Sequence, residues 1–147
     1  EAIAKTEPGK YAHLPEQVIH SDLHPHNLLA DGDQLRMILD FDSLRFLERA
    51  RGVAFALHRL VRQHIVYTRP ADVRETCRKG REAFLAAYRR EGALTEEEIS
   101  ALPYFIRHEA LSRLSYAMKD LYYNGNPAWK GDLEKQTAAI AEAAYFE

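Results

Sequence analysis

The chain has 147 residues, enough for one domain with a real core. Its 46% hydrophobic and 29% charged residues are ordinary for a soluble globular protein, and a formal net charge of −2 makes no electrostatic case for nucleic acid or an acidic membrane surface. One cysteine, Cys77, excludes an internal disulfide and a thiolate zinc cluster; with no signal peptide or membrane-spanning apolar run, a cytoplasmic location is expected.

The chain begins Glu1-Ala2-Ile3-Ala4-Lys5, without an initiator Met, and reads as part of a longer or processed chain. Residues 1–16 are polar and carry Pro8, Gly9 and Pro15, so a lead-in with little regular structure is expected. Two short apolar runs, Asn27–Ala30 and Leu35–Leu39, flank Asp31-Gly32-Asp33; such turn chemistry predicts a β-hairpin. Beyond about residue 50 the chain reads as helix. Val53, Leu57, Leu60, Val61 and Ile65 share one helical face. A second stripe runs over Val73, Thr76, Cys77, Gly80, Ala83, Phe84, Ala87 and Tyr88, opened by Pro70 and Asp72 and stopped near Gly92. Thr95 and Glu98 form a capping-box pattern. A third stripe spans Phe105 to Leu121 and closes at Asn124-Gly125, and Asp132 is placed to cap a last helix. The predicted fold class is α+β, mostly helical, with a small β-hairpin against a helical bundle.

Residues of catalytic type concentrate between His20 and Asp42. Asp22 lies on a loop leading into the hairpin, Asn27 opens its first strand, and Asp40 ends its second. Adjacent strands lie about 4.8 Å apart, so the Asn27 amide and the Asp40 carboxylate should be neighbours, with Asp22 close by. Hard oxygen donors of this kind suit Mg²⁺, which takes one or two protein ligands and leaves room for phosphate oxygens. A further carboxylate can orient or deprotonate a hydroxyl. Two other readings stand beside this one: polar turn residues with no shared task, and a transition-metal cluster of His20, His24 and His26 with Asp22.

The stretch His20-Ser21-Asp22-Leu23-His24-Pro25-His26-Asn27 resembles the H-x-D-x-x-x-x-N catalytic loop of protein kinases and of the aminoglycoside phosphotransferase/choline kinase-like family. Ile38-Leu39-Asp40-Phe41-Asp42 resembles that family's metal-binding segment, and the hairpin between the two is of the right length. The wording is nearest the small-molecule branch, which includes homoserine kinases and aminoglycoside phosphotransferases. The resemblance implies the C-terminal catalytic lobe of a protein-kinase-like fold over residues 1–147. It implies ATP as phosphoryl donor, Mg²⁺ as cofactor and a small-molecule hydroxyl as acceptor. Asp22 is then the catalytic base or hydroxyl-orienting residue, Asn27 and Asp40 the metal and nucleotide-phosphate ligands, and His20 a loop-packing residue. One departure stands out. Gly52 occupies the position where the family carries an Asp that braces the loop.

The seven glycines form neither a G-x-G-x-x-G nor a G-x-x-x-x-G-K-[ST] pattern, and nothing before His20 has room for a five-stranded nucleotide-binding lobe. The N-terminal lobe is expected to be absent and the isolated chain inactive, with an exposed apolar inter-lobe face open to self-association. Two rivals are a protein Ser/Thr kinase lobe and a non-catalytic kinase-like binding module. A deep acidic cavity among helices 53–66, 102–123 and 132–146 would favour a small acceptor, and an open groove a peptide. His58, His64 and His108 are expected to pack on helices, and Cys77 to be a small buried hydrophobe. Tyr116, Tyr122, Tyr123 and Trp129 read as helix-end packing rather than a box for a cationic substrate. Glu109 and Asp120 suit either a cationic acceptor or plain solvation. Arg45, Arg49 and Arg51 read as an exposed loop with an anion-binding alternative.

Overall fold

A computed structural model describes Glu7 and residues 9–147; most of the predicted irregular lead-in lies outside these. Strands β1 (Glu16–His20), β2 (Leu28–Asp31), β3 (Gln34–Ile38) and β4 (Leu44–Glu48) are followed by helices α1 (Arg49–Thr68), α2 (Val73–Glu91), α3 (Glu96–Met118) and α4 (Lys130–Glu142). The fold is therefore α+β and mostly helical, as read from the sequence. No helix among the described residues is long and apolar enough to cross a membrane.

The predicted hairpin forms from β2 and β3, with Asp31 opposite Gln34 and Leu28 opposite Ile38. Its two-residue loop is Gly32-Asp33. Gly32 sits at φ +60°, the left-handed conformation that a II′ hairpin turn asks of its first loop residue. A second antiparallel pair was not anticipated. β1 and β4 run from Glu16 opposite Glu48 to His20 opposite Leu44, so the hairpin is nested between two strands that pair around it. This nesting holds the start and end of the predicted catalytic segment together.

α1 is the central helix and buries more than the single face its periodicity suggested. Ala54, Phe55, Ala56 and His58 join Val53, Leu57 and Val61 inside, because β1, α2 and α3 all pack on it. In α2, Asp72 caps as predicted by accepting from the Glu75 amide at 2.9 Å. Its inward face holds Cys77 and Leu85, whereas Ala83 and Ala87 point to solvent. Gly80 lets α2 approach α1 closely, since a Cβ there would meet Val61 Cγ2 at 2.6 Å. The Thr95–Glu98 capping box is present and opens α3. Its first half is buried on nearly every side, from Ile99 to Ile106. The tail of the predicted stripe is buried only at Ala117: Met118 is exposed, and the chain passes into a π-helical turn over Lys119–Tyr123. Asp132 does not cap the last helix. A short 3₁₀ turn (Pro127–Trp129), capped by the Asn126 side chain, feeds straight into α4 and leaves Asp132 inside its first turn.

Glu98 is fully buried and takes two hydrogen bonds from Arg49, Nε at 2.9 Å and Nη2 at 2.7 Å, while its Oε2 also accepts the Thr95 amide at 2.8 Å. Burial alone would raise its pKa. The Arg49 and Thr95 contacts outweigh that and hold the carboxyl below its usual value. One residue thus closes the α3 cap and ties α3 to the first turn of α1, directly after β4.

Candidate active site

The loop after β1 is held by short-range bonds. The Ser21 amide and Oγ both donate to Ser43 O, at 3.1 and 2.6 Å. His20 Nε2 lies 2.7 Å from Leu39 O, and its Nδ1 lies 3.3 Å from the Asp22 amide. Asn27 Nδ2 donates to Asp22 O at 2.9 Å, and the Leu39 amide donates to Asn27 O at 2.9 Å. Asp22, Asn27 and Asp40 are thereby gathered at the junction of the two strand pairs. His20 packs the loop, as expected of it.

Asp40 adopts φ +64°, a left-handed conformation that Asp tolerates better than most residues but that still carries strain. It turns the chain out of β3 into the short 3₁₀ turn Phe41–Ser43, whose Ser43 Oγ donates to Asp40 Oδ2 at 3.1 Å. Because the Asn27 amide nitrogen is used on Asp22 O, its Oδ1 remains an acceptor. One amide oxygen and one carboxylate fit the sparse, all-oxygen protein shell that Mg²⁺ accepts. Among the described residues no group of three or more His, Cys, Asp or Glu could hold a metal ion. The three loop histidines therefore do not form the transition-metal cluster considered above: His20 is spent on Leu39, and the His24 and His26 rings meet edge-on at 5.4 Å.

Gly52 answers a packing demand. A Cβ there would lie 3.1 Å from Ile19 Cβ, so glycine lets α1 press against β1 two residues before Ser21. The bracing expected of an Asp at this position is supplied in part by Ser21 and His20.

The Asp22 carboxylate lies 3.2 Å from Arg113 Nη2 and 3.3 Å from His24 Nε2. It borders a cavity of about 380 Å³ between the loop and the helices, lined also by Arg59, Arg62, Arg113 and Lys135. An acidic cavity among these helices was the mark set above for a small acceptor; a cavity is present, but its wall is basic. The reversal comes from side chains on three helices, none of which belongs to a motif. Arg113 also donates to Glu109 at 2.6 Å; burial opposes its charge, but Glu109 and Asp22 more than compensate, and its pKa is raised. An adjoining cavity of about 460 Å³ shares Arg113 and Lys135 and is walled by Glu109, Asp132, Tyr116 and Trp129. Tyr116 and Trp129 stack edge-on at 5.3 Å, whereas Tyr122 and Tyr123 stand exposed, so the four aromatics form no box. Asp120 is engaged by Asn124 and Asn126. Arg45, Arg49 and Arg51 are committed to the Asp42 carbonyl, Glu98 and Glu48, and lie in β4 and the start of α1 rather than in a loop. The cations beside Asp22 are others.

Residues 1–102 match the APH phosphotransferase enzyme family. Proteins named homoserine kinase align with the chain: 36% identical over 107 residues in Bradyrhizobium sp. (strain BTAi1), and 37% over 107 residues in Nitrobacter winogradskyi. A third, from Rhodopseudomonas palustris (strain BisB5), is 36% identical over the same length. Each alignment covers 73% of this chain and 30% of the relative, so the chain spans under a third of the curated relatives it matches. No solved structure matches it at a significant level. The paired loop and metal-segment motifs, the nested strands that join them and the match over residues 1–102 all lead to one assignment: the chain belongs to the APH phosphotransferase family.

Proposed function

We propose that this chain is the catalytic lobe of a kinase that moves the γ-phosphoryl group of ATP to the hydroxyl of a small acceptor, homoserine being the first candidate. In this reading Asp22 receives the acceptor hydroxyl and accepts its proton as the oxygen attacks phosphorus, ADP being the leaving group. Asn27 Oδ1 and the Asp40 carboxylate hold Mg²⁺, which supplies charge neutralisation on the phosphate oxygens. His20 and Ser21 keep the loop in place. Arg113 orients Asp22 from α3 through their ion pair.

The observation that supports this most is the tie across the base of the hairpin, where the Leu39 amide donates to Asn27 O one residue before Asp40, with Asp22 bordering the cavity. The cavity's bounded size favours a small molecule over a peptide, and its cations disfavour the polycationic aminoglycosides and choline. The nucleotide-gripping lobe is proposed to lie outside these residues, so that residues 1–147 alone give no turnover; the missing glycine-rich phosphate loop and the short span of the relatives support this.

The test uses the full-length protein carrying these residues, with ATP, Mg²⁺ and homoserine, followed as ADP release. Asp40→Asn should lower turnover by about 10³-fold or more and weaken Mg²⁺-dependent ATP binding. Asp22→Asn should lower kcat by about 10²- to 10⁴-fold while nucleotide binding holds. Full activity in both variants would leave the motif without a catalytic role, whereas no turnover by the wild type with any acceptor would replace this reading by the binding-module one.

A further inference from the structure

Within the proposed phosphotransferase reading, we infer that Arg59 is the specificity-determining anchor of the acceptor, and that the group it holds is a carboxylate.

Four cations line the cavity beside Asp22, and three of them are already engaged. Arg62 pairs with Glu142, Arg113 with Asp22 and Glu109, and Lys135 with Asp132 at 3.5 Å. Among the described residues Arg59 has no ion-pair or hydrogen-bond partner. Its guanidinium carbon lies 5.1 Å from the centre of the Phe55 ring, and that of Arg113 lies 5.2 Å from the same ring. Arg59 is thus partly buried, fixed over an aromatic surface, and next to other positive charge. Burial, and then repulsion from Arg113 and Arg62, makes its charge harder to keep, which lowers its pKa. Asp22 and Glu109 offset this only in part, and a partly buried charge with no direct partner is completed by a ligand. The guanidinium offers a planar fork of donors suited to two-point binding of a carboxylate or phosphate.

Charge balance chooses between these two anions. The basic wall of this cavity is balanced from around it: Asp22, Glu109, Asp132 and Glu142, the last outside both cavities, accompany the four cations. A dianionic phosphate would leave excess negative charge beside Asp22. A carboxylate whose charge is offset by an ammonium in the same molecule preserves the balance. The adjoining cavity offers that ammonium Glu109 and Asp132, together with the buried Gln136 Oε1, which has no hydrogen-bond partner among the described residues.

The experiment compares acceptors and variants in the full-length protein. Binding is read by calorimetry with 2-aminobutyrate, which keeps the carboxylate and ammonium but has no hydroxyl to phosphorylate. Wild type and Asp22→Asn should bind it, Arg59→Met should weaken binding by about 10- to 100-fold, and Arg59→Lys by less, since charged hydrogen bonds are worth roughly 1.5–3 kcal/mol. In turnover, Arg59→Met should lower kcat/KM for homoserine by a similar factor and change that for 3-aminopropan-1-ol, which lacks the carboxylate, by less than about twofold. Phosphoserine should bind no better than serine. Loss of 2-aminobutyrate binding only in the Arg59 variants upholds the inference even if no acceptor is phosphorylated, the case in which the phosphotransferase reading alone fails. Equal binding in wild type and Arg59→Met, no binding in either, or an equal drop for both alcohols overturns it. Arg59→Lys, which keeps the charge and much of the stem, decides the matter if Arg59→Met does not fold.

Discussion

Replacing Gly80 by Ala sets two terms of opposite sign against each other. Alanine in a helix interior is favoured over glycine by about 0.8–1 kcal/mol. Here the new Cβ would lie 2.6 Å from Val61 Cγ2 and 3.1 Å from Cγ1, against ordinary carbon contacts of about 3.5–4 Å. Val61 is buried in α1, and a β-branched side chain in a helix has essentially one rotamer, so it cannot swing away. The helices must separate instead. Overpacking of this kind costs roughly 1–3 kcal/mol, and so tight a contact belongs at the upper end. The net expectation is a loss of about 1–2 kcal/mol, or a Tm lower by about 3–6 °C for a domain of this size.

The decisive measurement is a double-mutant cycle. Val61→Ala removes both clashing methyl groups and leaves only Val61 Cβ, 3.5 Å from the new atom, at ordinary contact distance. In that background Gly80→Ala should recover its helix-propensity gain and raise stability by about 1 kcal/mol. Thermal and urea unfolding followed by helical circular dichroism give all four corners. If Gly80→Ala stabilises the protein equally in both backgrounds, the close approach of α1 and α2 is not a constraint and the packing argument is wrong.

Glu98→Ala leaves Arg49 without its carboxylate and opens the α3 cap; because Arg49 keeps some solvent contact, a loss of about 3 kcal/mol is expected in urea unfolding, and one below about 1 kcal/mol would refute the pairing's role. His58 is buried facing Glu142, Arg59 and Arg62, and burial, against the Glu142 hydrogen bond, holds its pKa below the ordinary 6.5. The unfolded chain therefore takes up a proton that the folded protein resists, so stability should fall as pH drops through and below 6.5. His58→Gln should flatten that slope, and an unchanged slope would exclude His58 as its source. The β1–β4 pair exposes Val18 and Phe46, which lie opposite each other, and Leu35, Met37 and Phe41 are also exposed. These residues, without a covering lobe, should self-associate in a concentration-dependent way that Phe46→Lys suppresses; a strict monomer in sedimentation at high concentration would count against it.

The hairpin, the Asp72 and Thr95 caps and the closeness of the Asn27 and Leu39 backbones were legible because each depends on neighbours in sequence. Gly32 sets the turn, Asp72 and Thr95 each reach an amide three residues on, and Asn27 meets Leu39 across one short hairpin. The β1–β4 pair was not legible. Each strand has five residues, their outer faces are exposed, and pairing closes a loop around an intervening hairpin, so neither shows an alternation of its own. In α2 the small Ala83 and Ala87 fit an apolar stripe by type, yet Leu85 is the residue that reaches α1 and its neighbours. Small residues carry little weight in choosing a face. Asp132 has the right chemistry for a cap, but a preceding 3₁₀ turn moved the helix start upstream of it.

The basic wall beside Asp22 was the largest surprise in the site, and its origin is instructive. Arg59, Arg113 and Lys135 come from three different helices, and each sits among charged neighbours that read as a solvated face. Only the packing of α1, α3 and α4 turns them toward one cavity. The loop that holds Asp22, Asn27 and Asp40 is built by hydrogen bonds within residues 20–43 and does not depend on which side chains those helices present. On the proposed reading, reaction machinery and acceptor recognition are therefore separable in this fold. A change of charge at position 59 or 135 can alter which alcohol enters while the loop stays intact, whereas a change at Ser21 or Asn27 disturbs the reaction for every acceptor. Arg113 is the exception, since it lines the cavity and also holds Asp22. Its loss should impair both acceptor affinity and turnover, and that combined effect distinguishes it from Arg59.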